Sequence, residues 1–186
     1  MQIRRAEAGD ALGIARVHIE SWKETYAGII SQEYLDSLKI EDRMGLWKRS
    51  LSQTPQLSPV FVAVNEENNI VGFASYGKER TEKFNADGEL YAIYILKKYQ
   101  RERLGLKLLH AGVDELLEQK YTSMLVWVLE ENKSRKFYES LLPVKAGEEI
   151  DKIAGKEVVE LAYVWDDLKA LKQKLIHKLK SEKKLT

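Results

Sequence analysis

The sequence predicts an α/β fold, in which a mixed, mostly antiparallel sheet of about seven strands carries helices on both faces, with an amphipathic helix at the C-terminus. Three observations predict it. Seven short runs rich in branched and aromatic residues have strand length: 2–6, 60–64, 70–76, 90–96, 123–129, 144–152 and 157–164. Turn signals at NEENN and Ala154-Gly155 join two pairs of them as antiparallel hairpins. One helical pattern between strands predicts a parallel strand–helix–strand unit.

The first strand is followed by a predicted helix that begins near Asp10. Its apolar residues recur at spacings of three and four and form one continuous face: Leu12, Ala15, Ile19, Trp22 and Tyr26. Short helical stretches are predicted at 33–38 and 42–51. The segment QTPQLSP (53–59) holds two of the three prolines and is predicted to be a loop.

The chain is organised around residues 88–117, where a strand pattern changes to a helix pattern. Residues 90–96 have the length of a buried strand, and the apolar residues that follow the loop recur at helical spacing: Leu108, Leu109, Val113 and Leu116. Between them lies YQRERLG. A strand that turns through such a loop into a helix directs unpaired backbone N–H groups and the positive end of the helix dipole at one point. That point is predicted to bind an anion, most naturally a phosphate.

The last third predicts a strand at 123–129, a helix that Asn132 caps and Pro143 ends, and the closing hairpin. The final helix is rich in lysine and has one apolar stripe: Leu168, Leu171, Leu175, Ile176 and Leu179. We expect this stripe to pack against the body. A homodimer contact and a membrane-surface contact are the alternatives.

Composition limits the choice of partner and compartment. The chain has a net charge of +1, but residues 168–186 carry seven Lys and one Glu, which leaves the rest at −5. An acidic body suits a cationic small substrate better than nucleic acid. The sequence has no cysteine, and its three histidines lack metal-ligand spacing, so we expect no disulfide and no metal. With no apolar segment of spanning length we also expect a cytoplasmic protein that binds neither nucleic acid nor membrane.

Two motifs together resemble a known family. The segment YILKKYQRERLG followed by LLHAG, with NKSRKFYESL about thirty residues later, is similar to the acetyl-CoA-dependent GCN5-related N-acetyltransferases. The stretch SWKETYAGIISQEYLDSL also looks like the N-terminal region of bacterial small-molecule members such as polyamine acetyltransferases. The resemblance covers residues 1–165 and implies an N-acetyltransferase domain there, with 166–186 as a lysine-rich helical extension.

The resemblance implies a site for acetyl-CoA. The main chain at 93–95 would pair with the pantetheine arm, the amides of 101–106 would hold the pyrophosphate, and Asn132 would contact the arm. Arg103 stands where the family has its first glycine. We expect Arg103 to keep a negative φ, because a left-handed conformation costs a non-glycine residue about 1–2 kcal/mol, and to turn its guanidinium outward or onto a phosphate. The implied cofactor residues are Ile93, Tyr94, Ile95, Gln100, Arg101, Glu102, Arg103, Leu104, Gly105, Leu106 and Asn132.

The resemblance also implies the chemistry. Tyr138 matches the tyrosine that protonates the departing thiolate; helix packing is the alternative reading. Glu89 lies where histone-modifying relatives carry a base, and regular strand alternation places Glu89, Tyr91, Ile93 and Ile95 on one face. A strand-end carboxylate in solvent, with water as the base, is the other reading for Glu89.

Three aromatic side chains indicate where an acceptor amine would bind. We expect Trp22, Tyr26 and Tyr91 to line a pocket for a small cationic amine such as a polyamine, although an aromatic helix face is also ordinary core. A protein N-terminal or lysine acetyltransferase and a non-catalytic CoA-binding regulator are the alternatives, and nucleic-acid binding through the C-terminal lysines is the weakest.

Overall fold

The computed structural model describes residues 1–53 and 58–181; of the predicted loop at 53–59, positions 54–57 lie outside them, as do 182–186 of the C-terminal extension. The strands are β1 (Gln2–Arg5), β2 (Val60–Val64), β3 (Ile70–Lys78), β4 (Gly88–Ile95), β5 (Met124–Leu129), β6 (Val144–Ile153) and β7 (Lys156–Trp165). The helices are α1 (Ala11–Tyr26), α2 (Gln32–Ser37), α3 (Ile40–Leu51), α4 (Leu104–Glu118), α5 (Arg135–Glu139) and α6 (Leu168–Lys180), with short 3-10 turns at Ala8–Asp10 and Lys97–Tyr99.

Within the described residues the strands form one sheet in the order β1-β2-β3-β4-β5-β7-β6. Every neighbouring pair is antiparallel except β4 and β5, which are parallel. Helices α4 and α6 cover one face around a core that includes Leu108 and Leu116. Helices α1 and α3 cover part of the other face, where Ile14 and Val17 pack against β2 and β3. The predicted mixed sheet with helices on both faces is confirmed.

The parallel pair is short. Strands β4 and β5 are paired only at Gly88–Met124, Glu89–Leu125 and Leu90–Val126, and then they separate. From Tyr91 to Ile95, β4 pairs with β3 alone. Because successive strand residues direct their backbone N–H and C=O groups alternately to the two sides, the β5-facing side of β4 beyond Leu90 is an unpaired strand edge inside the sheet.

Strand β4 also contains an irregularity that the sequence does not reveal. Its register with β3 shifts between Ser75, opposite Ala92, and Tyr76, opposite Leu90, so Tyr91 is an extra residue. The predicted alternation is therefore wrong: Glu89 shares its face with Ala92 and Tyr94. Ile93 and Ile95 lie on the face of Leu90, against the α4 core.

Helix α6 packs against α4, as expected for its apolar stripe. Leu168, Leu171 and Leu175 are fully buried. The Lys172 ammonium lies 2.6 Å from the Asp114 carboxylate of α4, and the Asp167 side chain caps the helix by accepting a hydrogen bond from the Ala170 amide. Across residues 1–53 and 58–181, no helix has the length and apolar character needed to cross a membrane.

Gly112 allows α4 to approach the sheet closely. We expect Gly112→Ala to destabilise the protein by about 2–3 kcal/mol, although alanine ordinarily stabilises a helix relative to glycine. An added Cβ would overlap the ring of Tyr76, which is fully buried and held by a 3.0 Å hydrogen bond from its hydroxyl to the Leu108 carbonyl. Urea unfolding measures the change. Gly45→Ala in α3 is the control, because its Cβ would meet only one Arg49 nitrogen at 3.8 Å; equal responses at the two glycines would contradict the prediction.

Candidate active site

A cleft opens where β4 and β5 separate, with a volume of about 1070 Å³. It runs from α1 and β7 at one end to the loop before α4 and the last turn of α6 at the other. Most of the predicted site residues line it: Trp22, Tyr26, Glu89, Tyr91, Ile93, Tyr94, Ile95, Gln100, Arg101, Arg103, Leu104, Gly105, Leu106, Asn132 and Tyr138. Glu102 does not, because it lies between two left-handed residues and is exposed.

The loop before α4 has the geometry of an anion site. The amides of Leu104, Gly105 and Leu106 belong to the first helical turn and donate to no other described residue, while the Lys107 amide begins the helical pattern by donating to the Arg103 carbonyl at 3.0 Å. The Gln100 side chain fixes the loop to β4 by donating to the Ile95 carbonyl at 3.0 Å. Unpaired amides and the helix dipole together favour a phosphate.

The backbone prediction for Arg103 is wrong. Its φ is +62°, in the left-handed region, and Arg101 has a φ of +68°. Arg103 precedes the first residue of α4, where the chain must turn sharply, so the conformation is imposed by the turn despite its cost. Its guanidinium does not point outward, because Nη1 donates to the Leu179 carbonyl of α6 at 3.1 Å. Gly105 differs from Arg103 in that it has no positive φ; a Cβ there would lie 3.3 Å from the Phe137 ring, so a larger residue would require that ring to shift slightly.

This conformation gives a matched pair of variants. We expect Arg103→Gly to be more stable than Arg103→Ala by about 1 kcal/mol, because only alanine pays for the left-handed backbone. Both changes remove the guanidinium and its hydrogen bond to Leu179, so the difference in their free energies of unfolding reports the backbone contribution alone. Chemical unfolding of the two variants measures it, and equal stabilities would show that the turn is not left-handed in solution.

Tyr138 and Asn132 form the α5 side of the cleft. Tyr138 is 7% exposed, and its ring packs against Phe137 and Trp165. Burial raises the pKa of the Tyr138 hydroxyl well above its ordinary value, so the group keeps its proton. Asn132 is equally buried, and its Oδ1 accepts a hydrogen bond from the Ser134 amide at 2.8 Å, which orders the turn into α5.

Glu89 is not a carboxylate in solvent. It is 1% exposed, and Arg80 holds both of its oxygens: the Arg80 amide and Nε donate to Oε2 at 3.1 Å, and Nη2 donates to Oε1 at 2.5 Å. The Arg80 guanidinium lies 4.1 Å above the Tyr91 ring, and the Tyr91 hydroxyl donates to the Lys78 carbonyl at 2.7 Å. Arg80, which the sequence analysis misses because it lies in a polar connection, therefore ties Glu89 and Tyr91 into one wall.

The α1 end of the cleft has an aromatic and hydroxyl wall. The rings of Trp22 and Tyr26 meet edge-on at 5.0 Å, and the hydroxyls of Tyr26 and Tyr94 are 3.2 Å apart. Ser21 is 2% exposed, and its hydroxyl has no hydrogen-bond partner among the described residues. A buried hydroxyl usually has a partner, so the Ser21 hydroxyl is a candidate contact for a ligand.

Glu160 of β7 lines the same end of the cleft, and the sequence analysis misses it. No other described residue donates a hydrogen bond to its carboxylate. Burial, together with the nearby charges of Asp151 and Glu149, raises the pKa of this carboxyl above its ordinary value. Burial is the main cause that raises the pKa of Tyr26 and Tyr94, and the charge of Glu160 adds a smaller effect in the same direction. The only sequence signal is a glutamate inside an otherwise apolar strand, VVELAYV.

Comparison with known proteins identifies the class. The acetyltransferase (GNAT) family model matches residues 16–142, and the chain is 42% identical over 170 residues to an uncharacterized N-acetyltransferase, YuaI, of Bacillus subtilis strain 168, covering 91% of this chain and 95% of YuaI. The chain therefore belongs to the acetyltransferase (GNAT) family and is an N-acetyltransferase.

Two further relatives are more distant. A spermidine N(1)-acetyltransferase of Thermoplasma acidophilum is 29% identical over 112 residues, which are 59% of this chain and 66% of that protein. The crystal structure of the PaiA N-acetyltransferase from Thermoplasma acidophilum in complex with coenzyme A has the same fold, with a TM-score of 0.65 at 22% identity over 86% of this chain and 96% of that one.

Proposed function

We propose that the cleft binds acetyl-CoA together with a small cationic amine and that the chain transfers the acetyl group to the amine nitrogen. One observation carries this proposal: the unpaired edge of β4 is followed, after the loop at 96–103, by the first turn of α4, where three backbone amides donate no hydrogen bond to a described residue. An extended amide-containing arm can pair with the strand edge while a diphosphate binds at the helix N-terminus. The chain thus offers a fitting partner for each part of coenzyme A.

Specific residues would hold this ligand. The main chain at 93–95 would bind the pantetheine arm, the amides of 101–106 would bind the diphosphate, and Asn132 would contact the arm from the opposite side of the cleft. Bound acetyl-CoA would supply an activated acetyl thioester. In the net reaction the ammonium nitrogen loses two protons and forms the new N–C bond, while the C–S bond breaks. The sulfur gains one proton and the other passes to water.

Tyr138 is the proposed acid. Tyr138 lines the cleft together with Asn132 and Phe137, and its hydroxyl keeps its proton at neutral pH. A thiolate leaving into this buried environment is also disfavoured by desolvation, so proton transfer from Oη to the sulfur relieves an unfavourable charge.

The proton of the amine needs a different route from the one first expected. The Glu89 oxygens already accept three hydrogen bonds from Arg80, and Glu89 lies on the opposite face from Ile93 and Ile95. We therefore assign Glu89 the task of holding Arg80 and Tyr91 in the cleft wall. Water in the cleft is the proposed proton acceptor, which was the other possibility for this step.

Three features support a small cationic acceptor. Glu160 supplies a carboxylate that no described residue engages, Trp22 and Tyr26 supply aromatic faces that attract cations, and Ser21 supplies an unpartnered hydroxyl. A distant relative is named a spermidine N(1)-acetyltransferase, so spermidine is the first amine to test.

Glu160 can be tested by itself. We expect Glu160→Gln to raise KM for spermidine by about 10-fold, because it removes a charge-assisted hydrogen bond to the ammonium, and to leave KM for acetyl-CoA unchanged. Glu157→Gln is the control, because Glu157 lies on the same strand but is exposed and outside the cleft lining. Steady-state kinetics measure both constants. An unchanged KM for spermidine in Glu160→Gln would remove Glu160 from the acceptor site.

The proposed function is tested by measuring thiol release from acetyl-CoA with a panel of amines, lysine peptides and protein N-terminal peptides. Turnover that favours small polyamines is the expected result. Turnover confined to peptides would overturn the proposed acceptor. Thermal stabilisation by CoA without turnover on any member of the panel would instead favour a CoA-binding regulator.

A further inference from the structure

The last turn of α6 lies at the phosphate end of the cleft. Lys178 and Ser181 line the same cleft as the first turn of α4, and the Leu179 carbonyl accepts the hydrogen bond from Arg103. The helix is fixed in this position, since Leu171 and Leu175 are buried against α4. A helix outside the predicted domain of 1–165 thus forms part of the cleft wall.

The charges near the loop are suited to an anion. The side chains that line this part of the cleft include five cationic residues: Arg101, Arg103, Lys133, Lys136 and Lys178. Lys178 differs from Lys172 on the same helix, which binds Asp114, because no carboxylate among the described residues pairs with it. Among residues 1–53 and 58–181, the two carboxylates that line the cleft belong to other elements: Glu89 is held by Arg80, and Glu160 is on β7.

The C-terminal end of α6 faces the loop. Its last carbonyls carry partial negative charge, which disfavours a phosphate nearby. The Arg103 guanidinium offsets this effect at the Leu179 carbonyl, 3.1 Å away. Arg103, which stands where the family has a glycine, therefore joins the loop to the end of α6 and places a positive charge beside its last carbonyls.

We infer that the Lys178 ammonium binds a phosphate group of coenzyme A, so that α6 forms an additional wall of the cofactor site. This inference rests on the proposed function, because it requires CoA in the cleft. The amides of 104–106 and the ammonium would then act on the phosphates from two different elements, with α6 supplying a charge that the loop itself does not.

Calorimetric titration with CoA tests the inference. We expect Lys178→Ala to weaken CoA binding by about 10-fold, Lys178→Arg to restore most of the affinity, and the loss to shrink at high salt. Lys174→Ala is the control, because Lys174 is on the same helix and does not line the cleft. Thermal unfolding of each variant checks that α6 remains packed.

The outcomes separate the two claims. If the unsubstituted protein binds no CoA, the proposed function falls and the inference falls with it. If CoA binds and Lys178→Ala keeps the original affinity, or Lys174→Ala loses as much, the inference alone is overturned. Repeating the titration with 3′-dephospho-CoA identifies the phosphate. If Lys178→Ala no longer weakens binding of 3′-dephospho-CoA, Lys178 contacts the 3′-phosphate. If it still weakens binding, Lys178 contacts the diphosphate. Either result supports the inference.

Discussion

Tyr138→Phe is expected to lower kcat by about 100-fold with little change in KM for acetyl-CoA, because it removes the proton donor and keeps the ring. The ring contacts with Phe137 and Trp165 do not involve the hydroxyl, so the cleft should keep its shape. Because burial raises the pKa of Tyr138, the hydroxyl does not ionise near neutral pH. We therefore expect no fall in activity from Tyr138 ionisation between pH 7 and about pH 10.

Tyr76→Phe provides the control for loss of a buried phenol. Its hydroxyl donates to the Leu108 carbonyl within the α4 core, and it does not line the cleft. That variant should lose about 1 kcal/mol of stability and keep its kcat. If Tyr138→Phe instead keeps the original kcat, Tyr138 has a packing role only.

Acid is expected to destabilise the protein through His18, by up to about 5 kcal/mol as pH falls from neutral to 3. Burial, with a smaller effect of the Arg43 charge, lowers the pKa of His18 from 6.5 to about 3. The Trp47 indole N–H of α3 donates a hydrogen bond to His18 Nδ1 at 3.3 Å. The centre of the His18 ring lies 5.4 to 5.7 Å from the ring centres of Tyr94, Trp22 and Phe73. No described carboxylate is paired with it.

The direction in which pH changes the free energy of unfolding follows from proton binding at His18. Below pH 6.5 the unfolded chain binds a proton at His18 that the folded chain rejects, so stability is complete above that pH and decreases by about 1.4 kcal/mol per pH unit below it. Urea unfolding between pH 7 and 5 measures the slope. In His18→Gln this contribution should vanish, whereas His177→Gln, at an exposed position on α6, should keep it. An unchanged slope in His18→Gln would show that other groups cause the acid sensitivity.

Much of the fold is visible in the sequence because hydrophobic periodicity reports which face of an element is buried. The short apolar runs of β2 and β3 and the helical spacing in α1, α4 and α6 each predict the observed element. The bulge at Tyr91 is not visible in this way. It depends on how β3 and β4 align, and an extra residue in an apolar strand leaves the local composition unchanged.

Some residues of the candidate site can be recognised in the sequence and others cannot. The loop at 100–105 and Tyr138 are recognisable because their chemistry is local to a motif. Arg80, Glu160 and Lys178 come from a polar connection, a strand and a terminal helix, and only the folded chain brings them to one cleft. The φ of Arg103 escaped prediction because a preference of about 1–2 kcal/mol is small beside the packing of the two elements that the turn connects.

The closeness of the Phe137 ring to the first turn of α4 has a kinetic consequence: a Cβ added at Gly105 would meet that ring at 3.3 Å. Phe137 adjoins Tyr138 in α5, which is only five residues long and has little rigidity of its own. We therefore expect a donor bound at the first turn of α4 to order Tyr138 before the acceptor arrives. We expect a sequential mechanism in which acetyl-CoA adds first, and dead-end inhibition by a substrate-like amine that is uncompetitive against acetyl-CoA.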